Sequence, residues 1–154
     1  MTPTSTIETG GRTAVFAGSF HPFTKGHADI ASRALELFAH IIIAIGINKS
    51  KADAGNDADI SAIKELYRGE PRISVETYSG LTVDFARARG ARFLLRGVRS
   101  VKDFEYERDL ADINRQLSGL ETVILFSRPE YSAISSSVVR ELQSYGHDVS
   151  QLLP

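Results

Sequence analysis

A ten-residue segment near the start of the regular sequence contains the first residues whose types and spacing could do chemistry. It reads Gly18-Ser-Phe-His-Pro-Phe-Thr-Lys-Gly-His27 and leads directly into a helix-like pattern. Its two glycines permit close approach of the backbone to a ligand, and a helix N-terminus offers free N–H groups and a positive dipole end to phosphate. His27 falls in the first helical turn, at the mouth of such a site. A capping histidine in an ordinary loop would explain an isolated Gly-x-His, but the complete string favours phosphate binding.

Two arginines flank a glycine in the segment Arg96-Gly97-Val98-Arg99, which follows the fourth predicted strand. Guanidinium groups bind phosphate oxygens in bidentate geometry, and the glycine lets the chain turn between them. The segment belongs to a run from 87 to 102 that holds six cations and no acid. The first three arginines of this run are predicted to decorate a helix and its end, whereas Arg96 and Arg99 are predicted to contact a ligand.

Two further polar segments follow predicted strands, at 48–51 and at 131–137. Lys51 could reach an anionic substrate or belong to an ordinary solvated loop, and the residue types leave both open. The three serines from Ser135 to Ser137 could cap a helix and could also offer hydroxyl and N–H groups to phosphate. As a second helix N-terminus at the same sheet edge, this segment fits a triphosphate held between two dipole ends.

An acidic segment, Asp103-Phe-Glu-Tyr-Glu-Arg-Asp109, directly follows the basic run. Asp103 and Glu107 are four residues apart and share a helical face. Their carboxylates could form a solvated helix start, hold arginine side chains in place, or accept hydrogen bonds from ribose hydroxyls. The spacing alone does not choose among these roles.

The elements that must position these residues alternate along the chain. Apolar and β-branched runs predict strands at 13–17, 40–47, 72–76, 91–95 and 121–127. Helical periodicity predicts helices at 25–39, 58–67, 81–89, 101–117 and 135–145. This order predicts an α/β fold, a single doubly wound Rossmann-like domain with a five-stranded parallel sheet and helices on both faces. In such sheets, ligands bind at the carboxyl ends of the strands, where the topology switches.

Composition excludes several classes of protein. The chain has 154 residues, of which 42% are apolar, and it contains no cysteine, so disulfide scaffolds and thiol catalysis are excluded. Residues 1–11 are predicted to form a disordered leader before one domain at 12–154. The 18 basic and 19 acidic residues argue against a nucleic-acid surface. Without a long apolar run or a signal-peptide profile, we expect no membrane association and a cytoplasmic location.

These strings together resemble the nucleotidyltransferase superfamily that is marked by a Thr/His-x-Gly-His motif, and within it the phosphopantetheine adenylyltransferases. The matching pieces are 18–27, 96–99, 103–107, 134–137 and the C-terminal stretch 146–154. The resemblance spans about residues 12–154. The first piece marks the superfamily, whereas Arg-Gly-x-Arg together with Asp-Phe-Glu-Tyr-Glu is more specific to this family.

The resemblance implies a reaction in which the phosphate of 4′-phosphopantetheine attacks the α-phosphorus of ATP and pyrophosphate leaves. Such chemistry is mainly positioning and charge stabilisation. Mg²⁺ is implied as a cofactor held by phosphate oxygens and water, without a protein ligand. The resemblance also implies a homohexamer that coenzyme A inhibits by occupying the substrate site.

The resemblance further implies the roles of individual residues. His27 is the catalytic residue and stabilises charge at the α-phosphate and on the departing pyrophosphate. The implied ATP-binding residues are Ser19, Phe20, His27, Gly97, Val98, Arg99, Glu107, Tyr131, Ser132, Ala133, Ile134, Ser135, Ser136 and Ser137. The implied residues for the phosphorylated acceptor are Ser19, Lys51, Thr82 and Arg96.

The sequence departs from the family pattern at three places. His21 stands where the family commonly has Asp, which changes the charge near the phosphates and adds a group that titrates near neutrality. Thr82 stands where Met is expected in the wall of the pantetheine site, and a smaller side chain there would loosen the pocket. The segment 52–60 lacks the Ser/Thr-x-Glu-Glu-Arg type string usual before the second helix.

Two other functions are compatible with the same motifs. One is a sibling nucleotidyltransferase with another phosphorylated acceptor, against which the Asp-Phe-Glu-Tyr-Glu segment speaks. The other is a non-catalytic ATP-binding module in which His21 marks lost activity. A panel of acceptors in a pyrophosphate-release assay distinguishes them.

Overall fold

The apolar runs of the sequence form strands in the structure, a computed structural model that describes residues 12–47 and 56–154. The strands are β1 (Thr13–Gly18), β2 (His40–Gly46), β3 (Ile73–Tyr78), β4 (Phe93–Val98) and β5 (Glu121–Phe126). The helices are α1 (Lys25–Ala34), α2 (Asp57–Leu66), α3 (Thr82–Ala88), α4 (Val101–Ser118) and α5 (Ser136–Ser144). Short 3₁₀ turns lie at Pro129–Tyr131 and Ser150–Leu152.

The five strands form one parallel sheet in the order β3-β2-β1-β4-β5. The chain runs outward from β1 through β2 to β3, then returns to the other side of β1 for β4 and β5. The order therefore reverses between β1 and β4, which is the place where doubly wound sheets bind ligands. The predicted Rossmann-like α/β fold and its five-stranded parallel sheet are confirmed.

Both faces of the sheet are buried, which explains why the strands are continuous apolar runs. On one face, Phe16, Ile43 and Leu95 pack with Ile30 of α1 and Ile63 of α2. On the other face, β-sheet residues including Val15, Ala44 and Leu94 pack with α3. The helix α4 lies beside α3 and contacts β4 and β5. Helices thus cover both faces, as the sequence predicts.

The fourth strand differs from its predicted bounds in a way that matters for the site. The apolar pattern predicts that Arg96 and Gly97 follow a strand at 91–95, but both lie inside β4. The strand continues because the main chain from Arg96 to Val98 still pairs with β5. Gly97 is required there by packing, since a Cβ atom would lie 3.1 Å from Cγ1 of Ile30. Arg96 therefore projects from a rigid strand rather than from a loop.

The first helix is shorter than predicted. It ends at Ala34 instead of residue 39, and the chain turns before β2. Phe38 fits the apolar spacing of the helix but lies beyond its end. It is buried there against Phe93, with 5.4 Å between the ring centroids. The predicted leader at 1–11 lies outside the described residues. Within the part of the chain that the structure describes, no helix has the length and apolarity needed to cross a bilayer.

Candidate active site

A cleft of about 360 Å³ opens at the carboxyl ends of β1 and β4, where the strand order reverses. Most of the predicted site residues line it: Ser19, Phe20, His27, Arg96, Gly97, Arg99, Ile134, Ser135, Ser136 and Ser137. The N-termini of α1 and α5 both contribute residues to its wall. The cleft therefore presents two positive dipole ends and the guanidinium groups of Arg96, Arg99 and Arg140 to one space, an arrangement suited to a polyphosphate.

The orientation of His27 is fixed by the cap of α1. Thr24 is the N-cap residue, and its backbone N–H donates to Nδ1 of His27 over 2.9 Å. Because Nδ1 accepts this bond, it carries no hydrogen, and the proton of the neutral ring is on Nε2. Among the described residues, no side chain or carbonyl group hydrogen-bonds Nε2. The ring thus has one N–H donor available at the wall of the cleft.

The surroundings of His27 keep the ring uncharged. Three phenylalanine rings lie around it, with centroids 6.3 Å (Phe16), 5.0 Å (Phe20) and 5.3 Å (Phe23) away. Burial, followed by the positive charges of Arg96 and Arg99, lowers the pKa of His27 from 6.5 to about 4. At neutral pH the free protein therefore presents a neutral hydrogen-bond donor at this position rather than an imidazolium.

Arg96 is held rigidly by a buried carboxylate. Its Nε and Nη2 atoms donate to the two carboxylate oxygens of Glu107, each over 2.8 Å, and its Nη1 donates to the carbonyl oxygen of Ala17 over 2.5 Å. Burial opposes the charge of Arg96, but the hydrogen bonds and charge of Glu107 outweigh it and raise the pKa of the guanidinium above its usual value. Of the roles left open for Glu107, the structure favours holding an arginine in place.

Arg99 stands at the rim of the cleft and is less constrained. Its Nε lies 3.7 Å from a carboxylate oxygen of Asp103, and its backbone N–H donates to the same oxygen over 3.2 Å. Both side chains are substantially exposed. Arg99 can therefore reorient toward a bound anion at lower cost than Arg96.

The serines of α5 divide into a cap and a bridge. Ser135 caps the helix by accepting from the backbone N–H of Val138 over 3.2 Å. Ser136 donates instead to the carbonyl oxygen of Pro22 over 2.7 Å, which links α5 to the loop after β1. The sequence analysis missed Arg140, which lines the cleft one helical turn after Ser136. The i, i+4 spacing from that serine is the signal that could have identified it.

A salt-bridge network that the sequence analysis also missed joins α1 to the segment after β5. Asp29 accepts from Nη1 of Arg33 over 3.1 Å and lies 3.2 Å from Nε of Arg128. Arg33 donates in addition to the carbonyl oxygen of Phe126 over 2.9 Å. These contacts fix the chain around Ser127, which lines the cleft. The contacts of Asp29 with Arg128 and of Arg33 with Phe126 join residues distant in sequence, so no local pattern predicts them.

A second, smaller cavity of about 100 Å³ adjoins the cleft on the other face of the sheet and shares Ala17, Gly18 and Arg96 with it. Thr82 lines this cavity, and its hydroxyl is 2.8 Å from that of Tyr78. Further polar groups in the wall are the side chains of Asn114 and Thr122. The Oγ1 atom of Thr122 is buried and has no hydrogen-bond partner within the described parts of the chain. Arg96 thus lines both spaces.

The remaining predicted site residues lie elsewhere. Val98 is fully buried beneath the cleft, and Glu107 lines the smaller cavity. The residues Tyr131, Ser132 and Ala133 form the turn before α5 and do not line the cleft. Lys51 lies outside the described residues, as do residues 52–55 of the segment 52–60.

Comparison with known proteins places the chain in a family. The fold and site define a nucleotidyltransferase, and the chain belongs to the cytidylyltransferase-like family, whose model matches residues 15–142. A phosphopantetheine adenylyltransferase of Porphyromonas gingivalis is 56% identical over 142 residues, which cover 92% of this chain and 93% of the relative. That of Bacteroides thetaiotaomicron is 49% identical over 144 residues and covers 93% and 95%. The chain therefore belongs to the phosphopantetheine adenylyltransferases.

A solved structure supports the fold alone. It is a bifunctional NMN adenylyltransferase/ADP ribose pyrophosphatase from Francisella tularensis, with a TM-score of 0.68 and 15% sequence identity. The match covers 93% of this chain and 45% of that chain. The similarity thus extends over nearly the whole domain described here but over less than half of the bifunctional protein.

The lowered pKa of His27 predicts a loss of stability in acid. The unfolded chain binds a proton at His27 as the pH falls through about 6.5, whereas the folded protein binds it only near pH 4. Protonation of His27 therefore leaves the free energy of unfolding unchanged above pH 6.5. Between pH 6.5 and 4 it lowers that free energy progressively, by at most roughly 3 kcal/mol. Urea denaturation at several pH values should give a steeper decline for the wild type than for His27→Gln. Parallel declines would contradict a depressed pKa.

Proposed function

We propose that this chain transfers the adenylyl group of ATP to 4′-phosphopantetheine, giving dephospho-coenzyme A and pyrophosphate. The observation that carries the proposal is the neutral Nε2–H of His27 in a cleft that also holds two helix N-termini and three arginines. The cleft suits a triphosphate, and the smaller cavity beyond Arg96 suits a second, elongated substrate.

In the proposed reaction, an oxygen of the acceptor phosphate forms a bond to the α-phosphorus of ATP. The bond between that phosphorus and the oxygen bridging to the β-phosphorus breaks, and its electron pair leaves with pyrophosphate. Nε2–H of His27 donates a hydrogen bond to a phosphate oxygen on which negative charge increases. A donor that is already oriented and desolvated stabilises that charge without reorganisation. No covalent enzyme intermediate is required.

Arg96 is the group best placed to receive the acceptor phosphate. It lines both the cleft and the smaller cavity, so a phosphate beside it faces the ATP site while the rest of the acceptor extends into the cavity. The Glu107 contacts hold the guanidinium in one orientation, which lowers the entropic cost of binding. The hydroxyls of Thr82 and Thr122 and the amide of Asn114 match the amide groups of a pantetheine arm. The role of Lys51 stays a prediction.

Mg²⁺ is proposed to enter with ATP. Within residues 12–47 and 56–154, no group of three or more His, Asp or Glu side chains is arranged to hold a metal ion. Mg²⁺ usually keeps several waters and binds through substrate phosphates, so this wall of arginines, serines and backbone N–H groups fits a metal–ATP complex. When bound, the ion neutralises phosphate charge, while the protein groups orient the chain of phosphates.

An exposed apolar face of α4 supports the proposal that the chain assembles into a homohexamer. The side chains of Tyr106, Ile113 and Leu117 are exposed and lie on one side of this helix at spacings of seven and four residues. Contiguous exposed apolar surface of this kind marks an interaction site, and a second copy of the chain is the proposed occupant. A cytoplasmic location and the absence of nucleic-acid binding stay predictions from the sequence.

Replacing His27 with Ala should lower kcat at least about a hundredfold, the scale expected for one lost transition-state donor. The assay measures pyrophosphate release from Mg-ATP with and without 4′-phosphopantetheine, and excess EDTA should abolish it. His147→Ala removes an exposed histidine outside the cleft and is the matched control, with turnover expected to be unchanged. Near-normal turnover of His27→Ala would contradict its role, and ATP binding without pyrophosphate release for any acceptor would indicate a non-catalytic module.

Thr82→Phe tests the acceptor cavity. The added ring fills much of a space of about 100 Å³, so KM for 4′-phosphopantetheine should rise at least about tenfold while KM for ATP changes less than about threefold. Coenzyme A, the proposed inhibitor of this site, should lose potency in parallel. Thr77→Phe, at an exposed position of β3, is the control. Equal changes in both KM values would contradict the assignment of the cavity.

Ile113→Glu tests the proposed assembly. A charge in the centre of the apolar face of α4 should lower the mass measured by light scattering after size-exclusion chromatography, because a buried unpaired carboxylate is costly. Ile113→Val keeps the apolar contact and should retain the wild-type mass. A monomeric wild type would overturn the hexamer proposal.

A further inference from the structure

We propose that His21 and Asp59 form a positioning pair for the ATP cleft. The proposal rests on the proposed function. His21 lies in the loop between β1 and α1, and Asp59 lies in the first turn of α2. Nδ1 of His21 contacts Oδ2 of Asp59, and both side chains are partly shielded from solvent. His21 does not line the cleft, so its side chain acts on bound ATP only through its neighbours.

The backbone of the same loop holds two groups of the cleft. Nη1 of Arg140 donates to the carbonyl oxygen of His21 over 2.6 Å, and Oγ of Ser136 donates to that of Pro22 over 2.7 Å. Both side chains line the cleft. A displacement of the loop would therefore move a cation and a hydroxyl group that face the ATP phosphates.

The preceding residue connects the loop to the catalytic histidine. Phe20 has a φ of 49°, in the left-handed region that an L-residue adopts only at a cost. Its ring is buried and lies 5.0 Å from that of His27. A strained conformation persists only where surrounding contacts determine it. The contacts of Phe20 hold the loop on the side of the cleft, and the contact between His21 and Asp59 holds it on the opposite side.

Asp59 is a firm anchor for this contact. It belongs to the capping box of α2, in which its backbone N–H donates to the side chain of Asn56 over 2.9 Å. One turn later, Ile63 of the same helix is almost fully buried in the core. The pair thus ties the loop after β1 to a helix that is fixed by both its cap and its packing.

The proposal depends on the sign of the charge that faces residue 59. A carboxylate at position 21 would face Asp59 with a like charge, whereas placing an arginine at position 59 as well would put opposite charges across the same gap. A charge-reversal experiment therefore separates pairing from simple space filling. Among the described residues, Arg140 brings a positive charge to the backbone of His21.

The experiment compares His21→Asp with the double variant His21→Asp/Asp59→Arg. The single variant should lower kcat/KM for ATP at least about tenfold, because small displacements of positioning groups have large kinetic effects, with KM for 4′-phosphopantetheine changed less than about twofold. The double variant should recover activity to within about threefold of wild type. His21→Asp/Asp57→Arg places the same cation at an exposed neighbouring position of α2 and should not recover.

Three results would overturn the proposal: wild-type kinetics for His21→Asp, equal recovery in the two double variants, or equal changes in the kinetics of both substrates. Should His21→Asp fail to fold, Asp59→Asn removes the charge while retaining a side-chain cap, and the same selective loss toward ATP is expected. Should the wild type release no pyrophosphate, the proposed function fails separately. In that case calorimetry tests the pair: ATP affinity should fall in His21→Asp and recover in His21→Asp/Asp59→Arg.

Discussion

The hydrogen bond from the backbone N–H of Thr24 to Nδ1 of His27 is the interaction on which the site depends. It closes the first turn of α1 and at the same time assigns the ring proton to Nε2. One bond thus serves the fold and the chemistry, since the cap of a helix also orients a hydrogen-bond donor. The surrounding phenylalanines, together with Arg96 and Arg99, add the second requirement, which is that the ring stays neutral.

The two arginines whose charges act on His27 differ in how firmly they are held. Arg96 extends from a strand, and a buried carboxylate holds it by two hydrogen bonds. Arg99 stays at the rim with a looser partner. A fixed cation can position an incoming phosphate, whereas a rim cation can follow charge that moves toward pyrophosphate. Burial is the main cause of the lowered pKa of His27, and the positive charges of Arg96 and Arg99, which also attract anions, lower it further.

Much of this arrangement could be predicted from the sequence. Strand and helix order followed from apolar runs and periodicity, and the place of His27 followed from a glycine-containing string at a helix start. Two kinds of error remained. The bounds of β4 were misjudged because Arg96 and Gly97 interrupt an apolar run although their backbone stays in the sheet. Long-range partners such as Asp59 for His21 could not be predicted, because only the folded chain brings them together.

The outcome for His21 shows why a local departure from a family pattern needs a structure. Near the phosphates, a histidine in place of an acid would change the charge of the site. The structure instead gives the ring a carboxylate partner in α2 and directs only its backbone toward a cleft residue. The side chain at position 21 thus positions the loop through Asp59, while the main-chain carbonyl group of the same residue bonds Arg140 of the cleft.

The central claim is that His27 is a neutral donor with its proton on Nε2. Nitrogen-15 NMR of the histidine rings in the free protein at pH 7 tests it most directly, with His27→Gln used to assign the signals. The account predicts an unprotonated Nδ1 and a protonated Nε2 for His27, unchanged on acidification until the pH approaches its pKa of about 4. An imidazolium at pH 7, or a proton on Nδ1, would contradict it.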